Sequence, residues 1–237
     1  MRTSIAHRLL RLNHKFYNAF AADFAASRSR LQPGIMRALA ALQPYHSLLD
    51  VGCGDGRVLE AGRRSAPGIR YVGVDFSRQL LRRAPTSPRC DFIHADLASS
   101  GWVAGLSGRF EAAVCFSLLL HHIPGPRRQL RLLREINAVL QPGGRCALSV
   151  WQFLQLPRLR RKIMPWEQAG LTRAAVDPGD YLLDWRRGGH GLRYVHHFAA
   201  DELNALCMRA GFHVDESFRS DGETGALGLY LLLSAGR

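Results

Sequence analysis

The sequence predicts a doubly wound α/β protein. It would have a seven-stranded, mostly parallel sheet with helices on both faces, an N-terminal helical segment before the sheet, and a cap after the fifth strand. Three observations predict this. A heptapeptide, Asp-Val-Gly-Cys-Gly-Asp-Gly from Asp50 to Gly56, stands between a short apolar run and a helix-like run. From residue 44 to 151, strand-like apolar runs alternate with helix-like ones, the pattern of a parallel sheet covered on both faces. After Trp151 the alternation stops, and it resumes near the end as one helix and two strands.

Residues 1 to 43 read as helical. Phe16, Phe20 and Phe24 recur at i, i+4 and i+8 on one face, and Pro33-Gly34 is expected to break the run before Ile35 to Leu42 resumes it. Such a segment would pack over the mouth of a site. The sheet domain, 44 to 237, opens with a buried strand at Ser47 to Val51 and a helix from about Arg57. Tyr71 to Val74 and Cys90 to His94 read as the second and third strands. Phe110 to Phe116 reads as the fourth, opening into Ser117 to Ile123. A helix at Arg127 to Leu140, a Pro-Gly turn ending at Gly144 and a fifth strand at Cys146 to Trp151 follow. Residues 152 to 197 carry Pro157, Pro165, Pro178, the Gly188-Gly189 pair and eight Arg or Lys against four acids, as expected of an irregular cap over a substrate. Asp201 to Ala210, closed by Gly211, reads as a helix, and Phe212 to Phe218 with Leu227 to Leu233 as an antiparallel pair that completes seven strands.

Spacing decides what the glycine loop holds. A dinucleotide fingerprint, G-x-G-x-x-G, needs glycine where Arg57 stands, so the pattern here is D-x-G-x-G-x-G. Gly52, Gly54 and Gly56 supply a turn whose backbone can approach a ligand, with the free N–H groups of the next helix aimed at it. Asp75, at the end of the second strand, could accept both hydroxyls of a ribose, and Asp96, after the third, could reach an adenine edge. Together these stations resemble the class I S-adenosylmethionine-dependent methyltransferases, whose fold is Rossmann-like. The resemblance implies S-adenosylmethionine as cofactor. Asp50 with Gly52, Gly54 and Gly56 would hold its methionine end, Asp75 its ribose and Asp96 its adenine, with Ser117 also at the cofactor.

Composition bounds the setting. A chain of 237 residues with 47% hydrophobic content can bury a sizeable core. Cys53, Cys90, Cys115, Cys146 and Cys207 have no C-x-x-C spacing and read as reduced thiols in a cytoplasmic protein. No apolar stretch approaches the roughly 18 residues of a membrane span. The basic, acid-poor first 31 residues have the look of a transit peptide, but the basic excess runs through the whole chain. A formal charge of +13 suggests a polyanionic partner such as RNA. Arginine in place of lysine is what codon bias in a G·C-rich genome would give, whereas the shortage of acids is not so explained.

Methyl transfer is an in-line displacement in which the protein chiefly aligns the acceptor, so no catalytic triad is required and none is present. At the end of the fourth strand, one of the adjacent His121 and His122 is expected to face the pocket and the other to face away. No Asn/Asp-Pro-Pro-Tyr sequence marks an exocyclic-amine methylase here, and Cys115 lies inside a strand rather than poised as a nucleophile. Tyr17-Asn18, Phe24, Ser27-Arg28, His121-His122, Trp151 and the stretch from Arg193 to Phe198 leading into Asp201 resemble the transfer-RNA wobble-uridine carboxymethyl methyltransferases. That resemblance implies a carboxylate acceptor on transfer RNA and a small zinc-binding activator protein as partner. A carboxylate needs no base but does need a cation or donor to orient it, and Arg28, Arg193, His121 or His122 could serve. No metal site is expected on the chain itself. Two other readings stay open: a small-molecule O- or N-methyltransferase, which would share every cofactor station, and a non-catalytic cofactor-binding relative.

Overall fold

The computed structural model describes residues 1–26, 30–116 and 119–236, with the backbone alone at Phe24. Arg28 and Ser117 therefore lie outside the described residues. The first helix, α1 (Thr3–Ala19), runs through a stretch free of Pro and Gly, and it buries Ala6, Leu9, Asn13, Phe16 and Tyr17 along one face. After α2 (Ala21–Ala26), Pro33 does not break a helix. It starts α3 (Pro33–Ala41) from the first helical position, where proline's missing N–H costs nothing.

The strands β1 (Ser47–Val51), β2 (Arg70–Asp75) and β3 (Cys90–His94), the helices α4 (Arg57–Ser65) and α5 (Arg78–Leu81), and the strand β4 (Phe110–Cys115) follow in the expected order. Then come α6 (Pro126–Val139) and β5 (Leu140–Trp151). The Pro-Gly turn expected before the fifth strand is taken up within it. Phe110 pairs Leu140 and Ala112 pairs Arg145, so residues 141 to 144 bulge out against the single residue Glu111. Gly143 takes φ 72° at the bulge, which proline and glycine permit without ending the strand.

Beyond Trp151 the cap is not irregular. After α7 (Pro157–Arg160), the strands β6 (Ile163–Met164), β7 (Asp180–Trp185) and β8 (Gly191–His196) form a three-stranded antiparallel sheet. The Gly188-Gly189 pair that read as loop lies in the short turn joining β7 to β8, with φ of 67° and 139°. Both faces of this small sheet are buried. Leu182 and Tyr194 pack with Leu9 of α1 and Trp166, while Leu183 and Val195 pack with Phe153 and Leu156. The chain closes with α8 (Ala200–Arg209), β9 (Phe212–Ser220) and β10 (Gly228–Ala235).

The large sheet has the order β3-β2-β1-β4-β5-β10-β9, with β10 antiparallel to both neighbours and the other pairings parallel. Adjacent residues alternate between its faces. Leu48, Ala112 and Ala147 pack under α3 and α4, whereas Leu49, Ala113 and Leu148 pack under α6 and α8. The parallel strands β1, β2 and β4 all end at one edge, where Asp50, Asp75 and the 119–123 turn come together. Among the described residues no helix is long and apolar enough to cross a membrane.

Candidate cofactor and acceptor site

At that edge a cavity of about 80 Å³ is lined by Tyr17, Asp50, Gly52, Gly54, Asp75, Phe76, Leu119 and His122, among others. Its floor is the loop after β1. The N–H groups of Gly52 and Cys53 both donate to the carbonyl of Val74, at 2.8 and 3.1 Å, which ties the loop to the end of β2. Gly54 holds φ 60°, and the nearest atom to an added Cβ would be 3.8 Å away, so this backbone stands open to the cavity. Gly56 differs from expectation. It is not in the lining, and a Cβ there would lie 2.8 Å from the Phe92 ring, so its glycine serves the packing of α4 on β3.

Asp50 is 2% exposed, and its Oδ2 accepts the Tyr71 hydroxyl at 2.6 Å. Burial pushes its pKa up to about 7, against the lowering effect of the Tyr71 bond, and the charge of Asp75 adds to the rise. Asp75 accepts the Ser77 N–H at 2.8 Å on one oxygen and the Gly54 N–H at 2.9 Å on the other. Each oxygen keeps a second lone pair, so the carboxylate can still take two hydroxyls. Burial raises its pKa, and these backbone bonds oppose the rise. Asp96 is placed differently. It stands outside the cavity lining, and its oxygens accept Ala98 N–H at 2.9 Å and Ser99 Oγ–H at 2.7 Å, the local turn that an aspartate makes with backbone two residues on.

The two histidines divide as adjacent residues must. His121, 1% exposed, points back toward β5, where its Nδ1 lies 3.5 Å from the Trp151 N–H, and His122 lines the cavity. The Nδ1 of His122 lies 2.7 Å from the Tyr194 carbonyl, which can only accept, so that nitrogen carries the proton. In the neutral ring Nε2 then accepts the Tyr17 hydroxyl at 2.6 Å. Asn13, one turn before Tyr17, accepts Tyr194 N–H at 2.8 Å and donates to Tyr194 O at 3.1 Å, which fastens α1 to β8. Nothing in the sequence reading singled out Asn13. The available signal was an amide on the apolar face of an amphipathic helix.

Arg193 lies behind this wall, outside the cavity lining but hydrogen-bonded to Tyr17, which is in it. Its side chain is 6% exposed, and its guanidinium lies 5.2 Å from the Trp151 ring centroid and 5.5 Å from those of Phe16 and Trp185. Burial lowers its pKa, while a hydrogen bond with Tyr17 works the other way. Its Nε has no hydrogen-bond partner, and among the described residues no carboxylate forms an ion pair with it. A desolvated cation without a counter-ion is costly unless something anionic completes it.

The residues fit an S-adenosyl cofactor: exposed loop backbone, a ribose-capable carboxylate on Asp75, and the apolar side chains of Phe76 and Leu80 beside it. Among the described residues no group of three His, Cys, Asp or Glu could hold a metal. The chain is 28% identical over 206 residues to a protein of Encephalitozoon cuniculi that carries a methyltransferase name, covering 86% of this chain and 88% of that one. It is 26% identical over 138 residues to the Arabidopsis thaliana tRNA (carboxymethyluridine(34)-5-O)-methyltransferase, covering 58% of this chain but only 32% of that protein. The crystal structure of a SAM-dependent methyltransferase from Methanosarcina mazei shares its fold, with TM-score 0.63, 24% identity, and 87% of this chain and 98% of that one aligned. Residues 23–217 match the family described as "Methyltransferase domain", and the chain belongs to that family.

Proposed function

We propose that this methyltransferase moves the methyl group of S-adenosylmethionine onto a carboxylate, that of a carboxymethylated wobble uridine in transfer RNA. The observation that carries the reading is Arg193: a buried guanidinium with no carboxylate counter-ion among the described residues, hydrogen-bonded to Tyr17, which with His122 lines the cavity. Residues 152–197 then act as the acceptor-side cap, since β8 supplies Arg193 and the carbonyl that orients His122. When bound, the cofactor supplies an activated methyl on a sulfonium centre, open to in-line attack by an oxygen. Asp75 and the Gly52–Gly54 backbone hold the cofactor. Arg193 fixes the acceptor carboxylate, Tyr17 and His122 shape the wall beside it, and no proton need be removed from an acceptor ionised at neutral pH. Alignment of this kind contributes up to about 7–11 kcal/mol in model reactions.

The transfer-RNA part is supported by the named relative, at modest identity over part of the chain, and by the net charge of +13. The activator implied by the resemblance has a seat to offer in β3, an edge strand of the large sheet, where an open groove of about 650 Å³ runs beside Phe92 and Ile93. Purified chain, with and without co-expressed activator, is incubated with transfer RNA bearing the free carboxymethyl group, and the digested nucleosides are read by mass spectrometry. The ester is the expected product. Arg193→Ala should lower kcat/KM about 100-fold or more, in line with loss of a charged positioning contact, with cofactor affinity unchanged. Arg193→Lys should recover little, because a point charge does not reproduce a planar fork. Ester formation undiminished in Arg193→Ala would overturn the carboxylate assignment. Methylation of free small carboxylic acids, with none of transfer RNA, would move the acceptor to small molecules.

A further inference from the structure

We propose that the outer face of α1 is a phosphate-binding surface for the RNA acceptor, with Arg11 and Lys15 as its cationic pair; this rests on the RNA reading above. The inward face of α1 is spent on Leu9, Asn13, Phe16 and Tyr17, all buried. At 3.6 residues per turn, Arg11, His14, Lys15 and Asn18 fall together on the opposite side. They line an open groove of about 610 Å³.

Arg11 and Lys15 are exposed, one turn apart, and neither forms an ion pair with a carboxylate among the described residues. A merely solvated helix face usually mixes signs, because acids at i±4 stabilise it. Thr3 to Ala19 contains no acid at all. Like charges one turn apart oppose helix formation, so this face is better suited to a polyanion than to water alone.

The groove is joined to the site. The His14 ring stacks on Phe76, with centroids 4.5 Å apart and planes 15° from parallel, and Phe76 lines the cofactor cavity next to Asp75. The helix is also held still. Arg8 donates to the Ala169 carbonyl at 2.6 Å, and Asn13 is bonded to both backbone groups of Tyr194, so the two cations need little ordering when a ligand arrives. Asp96 and His94 act on His14 from the β3 side. The Asp96 carboxylate repels phosphate there and confines the track to Arg11 and Lys15. The occupant that fits is the backbone of a single-stranded loop, with one base turned into the cavity and its neighbours' phosphates outside, the form in which RNA bases are most often recognised.

Transfer-RNA affinity is measured by filter binding across a salt series for the wild type, for Arg11→Ala/Lys15→Ala, and for Arg63→Ala/Arg64→Ala. The last pair removes the same charge at the far end of α4, remote from the Gly52 loop. Calorimetry with S-adenosylhomocysteine reports an intact fold in each. The α1 variant should flatten the slope of log K against log salt by about 1.4, two single-strand phosphates at roughly 0.7 each, with cofactor affinity unchanged, while the α4 variant keeps the wild-type slope. Equal flattening in both variants, or none in the α1 variant, overturns the groove. A wild type without any salt slope overturns the RNA acceptor itself, a distinguishable failure.

Discussion

Asp50 does two jobs that pull against each other. It sits inside β1, where burial disfavours charge, and it faces a cavity suited to a cofactor whose sulfonium and ammonium are cationic. With a folded pKa of about 7 against an unfolded value near 4, the folded chain holds the extra proton between those pH values. Stability of the free protein from this group is therefore greatest below about pH 4 and declines as pH rises toward 7. Asp50→Asn should raise Tm at pH 8 by more than at pH 4. A cationic ligand favours the carboxylate, so S-adenosylmethionine should bind more tightly at pH 8 than at pH 6, by up to about tenfold per pH unit below the pKa. Calorimetry in buffers of different ionisation enthalpy should detect proton release at pH 6.5 in the wild type and none in Asp50→Asn. Identical proton release in both would remove Asp50 from the site. Asp50, Gly52, Gly54 and Asp75, singled out in the sequence because an open glycine turn is written in adjacent residues, all line the one cavity. Asp96, singled out by its place after a strand, stands outside that lining and holds a local turn, a use an acid at a strand end serves as readily as a ligand.

Elements were legible where a single periodicity governs them. β1 falls where its mostly apolar run falls, since a strand buried on both faces of a parallel sheet is largely apolar, and β3 falls as expected although it is a half-buried edge strand. The cap sheet was not legible, because its strands are short, its turn glycines look like loop, and its burial is supplied by distant parts of the chain. It is also fastened by charge. His196 lies 2.8 Å from Asp180 and 3.0 Å from Glu202 of α8, and the Tyr194 hydroxyl donates to Asp180 at 2.9 Å. Burial alone would lower the pKa of this imidazole, yet its bonds to the two carboxylates prevail and raise it to about 9. A raised folded pKa means that the clamp contributes fully below the unfolded value near 6.5 and is lost as pH climbs through 9. His196→Gln should destabilise the chain by about 2–3 kcal/mol at pH 6, with the deficit shrinking by pH 10. Denaturant titrations at both pH values check this, and a pH-independent deficit would mean that the ring matters for packing rather than charge.

At the scale of the whole molecule, the glycine-loop half of the site is built from neighbours in sequence and the proposed acceptor wall from strangers. Tyr17 meets His122 across 105 residues, and Asn13 meets Tyr194 across 181. A reading of local motifs sees the first half and only the fragments of the second, so Tyr17 and Arg193 could be quoted through family resemblance while Asn13, which joins the pieces, could not. The same division should be visible in dynamics. Asn13→Ala leaves the buried amide N–H and carbonyl of Tyr194 with fewer partners, a change that costs about 1–3 kcal/mol when such groups lose their bonds. The loss falls between α1 and β8, while β1, β2 and the glycine loop keep every hydrogen bond they have. Hydrogen exchange in Asn13→Ala should therefore quicken over residues 3–19 and 191–196 and stay unchanged over 47–51 and 70–75, because proteins open locally in contiguous units. Acceptor turnover should fall with it, as His122 loses the fixed carbonyl that sets its tautomer, whereas binding of S-adenosylhomocysteine through Asp75 should change by less than about threefold. Exchange that quickened uniformly across the large sheet would show that α1 and the cap fold as one unit with the cofactor half, and the separate acceptor wall would have to be given up.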